Sequence, residues 1–153
     1  NVKRIWIMGG DFTQSKVEHN FKCDTTAAKI VLESQTPLSI LDLPNSQKTI
    51  IRMPEIDCIK DVPNLGPLLY LEIMIWIQPR KQNWTIPHDP IAALAMIAPE
   101  YFDTSPIGQV SIDVDGKSLW KESISGNVTV LTPNDAEKAV ERILELITNC
   151  SRA

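Results

Sequence analysis

The strongest constraint on this chain is how its first apolar run stops. Residues 3–8 are rich in apolar side chains and end abruptly at Gly9-Gly10. Such a run reads as a buried strand, and the glycine pair as a loop whose backbone turns sharply or approaches a ligand closely. Asp24 then precedes residues 25–34, where Ala27, Ile30 and Val31 share a helical face; Asp24 is the expected N-cap, and Thr36-Pro37 closes the element. Residues 38–43 read as the next strand, ending in Asp42 before the breaker Pro44-Asn45.

Residues 47–63 carry mixed charge and two prolines and are expected to form an irregular crossing. Residues 65–77 are apolar nearly all round and predict a buried helix, with a strand over residues 70–77 as the alternative. Asp89-Pro90 opens a further helix, Asp as N-cap and Pro at the first helical position, with Ile91, Leu94, Ala95 and Ala98 at helical spacing. After Pro99 the period changes. Val110, Ile112 and Val114 alternate with Ser111 and Asp113, and Asp115-Gly116 supplies a hairpin turn. Residues 127–131 predict a strand. Thr132-Pro133-Asn134-Asp135 resembles a capping box for a last helix striped by Ala136, Val140, Ile143, Leu144 and Ile147. Strands alternating with helices predict an α/β, Rossmann-like layered fold with a mainly parallel sheet and a late β-hairpin, in a single domain over residues 1–153.

At 153 residues and 43% apolar composition, such a domain needs no disulfide framework. Cys23, Cys58 and Cys150 are odd in number and fit neither disulfide pairing nor a metal-binding Cys pair. The net charge of −4 argues against a nucleic-acid partner, and no apolar run is long enough to span a bilayer. A cytoplasmic location is expected, while the Asn-x-Ser/Thr sequons at Asn83, Asn127 and Asn149 leave a secreted form open.

Three constellations carry chemistry. Met8-Gly9-Gly10-Asp11 ends a strand, where open α/β sheets bind ligands, although taken alone the glycine pair reads as a plain turn. Glu18 and Asn20, two apart, lie on one side of an extended segment and suit sugar hydroxyls, with a solvated polar loop as the alternative. His88-Asp89 stands at a helix start. His88, one of only two histidines, is the natural acid or base or else a plain surface residue, and Asp89 is either a hard oxygen ligand for Ca²⁺ or simply a helix cap.

In order, Met8-Gly9-Gly10, Glu18-x-Asn20-Phe21, Asp24 leading Ala27-Ala28, Pro37, Asp42 and His88-Asp89-Pro90-Ile91-Ala92 resemble the C-terminal half of the inosine–uridine-type nucleoside hydrolase family. The resemblance runs from about residue 3 to residue 102, and more loosely to residue 147. It implies a mainly parallel α/β fold, a Ca²⁺ ion at the bottom of a ribose-binding cleft, and hydrolysis of the N-glycosidic bond to ribose and free base. It further implies that Glu18 and Asn20 hold ribose hydroxyls, that Asp89 is one Ca²⁺ ligand, and that His88 protonates the leaving base or lines its pocket.

The family's Asp-x-Asp-x-Gly-x-Asp-Asp motif, which supplies most Ca²⁺ carboxylates, does not occur here, and residues 12–16 replace the usual Gly-Asn pair. The chain opens without Met on a central strand, so an incomplete nucleoside hydrolase domain is expected. Its expected partners are a ribonucleoside and either a second copy or the missing N-terminal half. The rival expectation is a non-catalytic truncated paralogue, acting as a nucleoside-binding module or assembly subunit.

Overall fold

A computed structural model of the chain describes residues 2–13 and 16–149. The first strand, β1 (Ile5–Met8), leads through two short helices, α1 (His19–Cys23) and α2 (Thr25–Leu32), to β2 (Leu38–Leu41). Then come α3 (Leu43–Ser46), β3 (Ile51–Arg52), α4 (Met53–Ile59), α5 (Gly66–Ile77), β4 (Trp84–Thr85) and α6 (His88–Ile97). The chain finishes with β5 (Phe102–Thr104), β6 (Gly108–Ile112), β7 (Ser118–Glu122), β8 (Val128–Pro133) and α7 (Ala136–Asn149).

The main sheet runs β1-β2-β8-β6-β7, with β5 also paired to β8. Its centre is parallel: Ile5–Met8 pairs in register with Leu38–Leu41, and Leu38–Ile40 with Val128–Val130. The expected late hairpin extends it antiparallel through β6 and β7, around the turn in which Gly116 takes φ +88°. Asp113 accepts the Asp115 and Lys117 N–H groups there, which draws Val114 out of the strand and into solvent.

Alternation along the central strands fills two cores. Leu41 faces Ile91, Leu94 and Ile143 of α6 and α7, together with Trp6 and Met8. Leu38 and Ile40 face the opposite side, with Phe21, Leu32, Val110 and Val128. Helices therefore cover both faces of the sheet. On the α6 side, truncating Leu41 or Leu94 would cost about 2–5 kcal/mol.

Several local expectations change. Asp24 caps α2 through the Ala27 N–H as expected, yet Ile30 points to solvent. Residues 47–63 are not irregular, since Arg52-Met53-Pro54-Glu55 starts α4, with Glu55 accepting the Arg52 N–H. Helix α5 forms where expected but is not buried. Tyr70, Ile73, Met74 and Ile77 pack on α4 and α7, while Leu68, Leu71, Ile75 and Trp76 stay exposed. An all-round apolar pattern cannot tell burial in this fold from an uncovered face. Asp135, rather than Thr132, caps α7, accepting the Lys138 N–H at 3.1 Å.

Candidate active site at the ends of β1 and β2

The glycine pair turns the chain at the carboxyl end of β1. Gly9 continues the ladder by donating to Leu41 O, and a Cβ there would come within 2.7 Å of the Phe21 ring. Gly10 adopts φ +82°, a conformation that disfavours side chains, and so aims its N–H at Glu18 Oε2, 3.0 Å away.

Glu18 is 4% exposed. It is the N-cap of α1, accepting the Asn20 N–H on Oε1 and the Phe21 N–H on Oε2. Glu18 and Asn20 thus belong to a helix start, not to the extended segment their spacing suggests. Asn20 is exposed, and its Nδ2 donates to Met8 O at 3.1 Å and to Met8 Sδ. Its Oδ1 accepts nothing among the described residues, so the carboxamide keeps one acceptor for a ligand.

Beyond β2, Asp42 caps α3 through Asn45 and also takes the Phe12 N–H. Burial, aided by the nearby Asp11 charge, lifts its carboxyl above the usual range, against the donors from Asn45 and Phe12. Asp11 is equally buried and accepts the Thr13 and Lys16 N–H groups. Both carboxylates are committed to holding loops.

His88 begins α6, and its Nδ1 lies 2.9 Å from the Oγ of buried Ser46 on α3. Burial lowers its basicity, opposed by the charges of Asp89 and Glu18. Asp89 is not the N-cap. Pro87 holds that position without a side-chain cap, and Asp89 stands exposed in the first turn. It has no hydrogen bond or ion pair among the described residues, which leaves its carboxylate available at the positive end of α6.

His88 and Asp89 open onto a cavity of about 540 Å³ walled by Ile51, Trp76, Trp84, Arg80 and Ile147. Glu18 and Asn20 do not line it; they sit at the neighbouring strand end. Sequence reasoning missed Ser46, because one serine carries no signal, and the aromatic wall, because Trp76 reads as core.

A Ca²⁺ ion wants about six to eight oxygens. Among the described residues no group of three or more His, Cys, Asp or Glu side chains could hold a metal. Asp89 offers one ligand, and Glu18, Asp11 and Asp42 are engaged by N–H donors. These residues alone do not make a Ca²⁺ site.

Cys23 and Cys58 are free and exposed, and Cys150 lies outside the described residues. Asn127 Nδ2 donates to Ser34 O and Thr36 O, which ties up the amide of that sequon; Asn83 is exposed, and the sequon of Asn149 runs into residues outside those described. No described helix is long and apolar enough to cross a membrane.

Residues 1–142 match the family model of inosine-uridine preferring nucleoside hydrolases. No curated protein matches the chain in sequence. Among solved structures, a plant nucleoside hydrolase superposes with TM-score 0.83 at 18% identity, over 95% of this chain and 53% of its own. A purine-preferring ribonucleoside hydrolase from Gardnerella vaginalis gives 0.79 at 20% identity, over 97% of this chain and 53% of its own. An inosine-uridine preferring nucleoside hydrolase from Bacillus anthracis gives 0.73 at 15%, over 96% and 51%. At these identities the superpositions establish the fold. The chain spans about half the length of each of these structures.

Proposed function

This chain belongs to the inosine-uridine preferring nucleoside hydrolase family, and on that premise we propose that it takes part in hydrolysing the N-glycosidic bond of ribonucleosides to ribose and free base. The observation that carries this reading is the His88-Asp89 pair at the mouth of α6. One nitrogen of His88 is held by Ser46, and among the described residues the Asp89 carboxylate is unpaired beside a cavity of about 540 Å³.

The chemical needs are to hold the sugar, activate a water and protonate the departing base. His88 is the group placed to hand a proton to the base. Asn20, with a spare acceptor beside Met8 O, and Glu18 are the groups for ribose hydroxyls. Asp89 would be one Ca²⁺ ligand; the remaining ligands are not among the described residues. We also read the protein as cytoplasmic, which the engaged Asn127 amide and the free Cys23 and Cys58 support. A homo-oligomer, or association with an N-terminal half, fits the exposed apolar face of α5.

The second reading, a nucleoside-binding module or assembly subunit without catalysis, is favoured by the lack of a metal-holding cluster among the described residues. Calorimetry with inosine, run beside a reducing-sugar assay, separates the two. Binding with ribose release supports hydrolysis, and saturable binding without release at any Ca²⁺ concentration overturns it.

A further inference from the structure

We propose that Ser46 is a positioning residue that fixes the tautomer of His88, placing the ring proton on Nδ1 and turning a bare Nε2 to the cavity. Ser46 is wholly buried, and its Oγ lies 2.9 Å from two atoms, Leu43 O and His88 Nδ1. A carbonyl oxygen can only accept, and Leu43 O, which takes the Gln47 N–H with one lone pair, has a second for the one hydroxyl hydrogen of Ser46. That leaves Oγ nothing but lone pairs to offer the imidazole. Nδ1 must therefore carry a hydrogen and donate.

The surroundings hold Ser46 in this role. Its N–H donates to Asp42 O at 2.9 Å, and its own carbonyl accepts the Thr49 hydroxyl. The His88 backbone is fixed in turn by donation to Ile86 O. Nε2 has no partner among the described residues, yet the one buried side-chain nitrogen or oxygen without a partner there is Trp120 Nε1. Nε2 is therefore not fully buried, and His88 is one of the residues that line the cavity.

This gives the neutral ring a definite polarity. It offers the cavity a lone pair, able to take a hydrogen bond from a hydroxyl or N–H of a bound molecule. A proton can leave Nε2 only when the ring carries two. Resting on the hydrolase reading, the step would run with a water oxygen bonding to the anomeric carbon and releasing its proton to solvent, as the C–N bond breaks and its electrons pass to the base nitrogen. That nitrogen takes the Nε2 proton, and Nδ1–H stays on Ser46 throughout. Free imidazole lacks such a constraint, which is why the neighbour of one nitrogen decides the function of the other.

The test is long-range ¹H–¹⁵N correlation spectroscopy on the ¹⁵N-labelled chain, at a pH where both histidines are neutral. Only His19 and His88 contribute, and His19→Gln assigns the signals. The wild-type His88 should show a protonated, pyrrole-type Nδ1 and a pyridine-type Nε2. Ser46→Ala should reverse the majority to Nε2–H, and Ser46→Thr, which keeps the hydroxyl, should preserve the wild-type pattern. A pyrrole-type Nε2 in the wild type, or an unchanged pattern in folded Ser46→Ala, overturns the proposal. If Ser46→Ala does not fold, the wild-type spectrum decides alone. Ribose release is measured separately, so a fixed tautomer without turnover would refute the hydrolase reading and leave this one standing.

Discussion

The Glu18 carboxylate accepts the Gly10 N–H at 3.0 Å, which ties the turn after β1 to the start of α1. The same oxygen takes the Phe21 N–H at 3.1 Å, and its partner oxygen takes that of Asn20. Glu18 is thus part of the fold whatever it does for a ligand. Glu18→Ala should cost about 2–3 kcal/mol, because it strands buried N–H donors and removes a helix cap. Urea unfolding measures this, and a change within about 0.5 kcal/mol would show that water replaces the carboxylate.

Asn20 is the cleaner probe of sugar binding. It is exposed, and its Nδ2 bonds to Met8 O should be worth about 1 kcal/mol or less. Asn20→Ala should therefore fold normally and weaken nucleoside binding by about tenfold, the loss of one well-made hydrogen bond. Calorimetry on the variant checks this; unchanged affinity would remove Asn20 from the site.

Asp89→Ala should leave stability within about 0.5 kcal/mol of wild type, since α6 has no side-chain cap to lose. Asp24→Ala is the contrast. Asp24 caps α2 through the Ala27 N–H at 2.8 Å, and its loss should cost about 1 kcal/mol. Equal losses in urea unfolding would return Asp89 to a capping role.

Burial lowers the pKa of His88 below its ordinary value of 6.5. The folded state then binds that proton less tightly than the unfolded chain does. Stability from this group is whole above pH 6.5 and falls as the pH drops toward the lowered folded value. An NMR titration of the ring should give a midpoint below 6.5, and His88→Gln should flatten the stability slope in that window. A midpoint at or above 6.5 would mean that Asp89 and Glu18 outweigh burial.

Much of the frame is legible in the residues themselves. Period-two alternation separates Leu38 and Ile40 from Leu41, and Asp115-Gly116 marks the hairpin because φ near +88° needs glycine. What is not legible is set by tertiary contact. Nothing local says that Leu68 and Trp76 stay uncovered while Tyr70 and Ile77 are packed. Nor does Asp89 announce that Pro87 takes its cap position. For the site, Glu18, Asn20, His88 and Asp89 stand out by residue type and order. Ser46 does not, since its meaning arises only when 42 positions of chain fold it against His88.

The most direct test of the central claim is ribose release from inosine and uridine by the protein carrying this chain, with Ca²⁺ titrated, for wild type and Asp89→Asn. Membership of the nucleoside hydrolase family with Asp89 as a metal ligand predicts Ca²⁺-dependent release in the wild type. It also predicts a variant that needs more Ca²⁺ to reach a comparable rate. No release from either nucleoside at any Ca²⁺ concentration, while both bind, would contradict hydrolysis and leave a nucleoside-binding module.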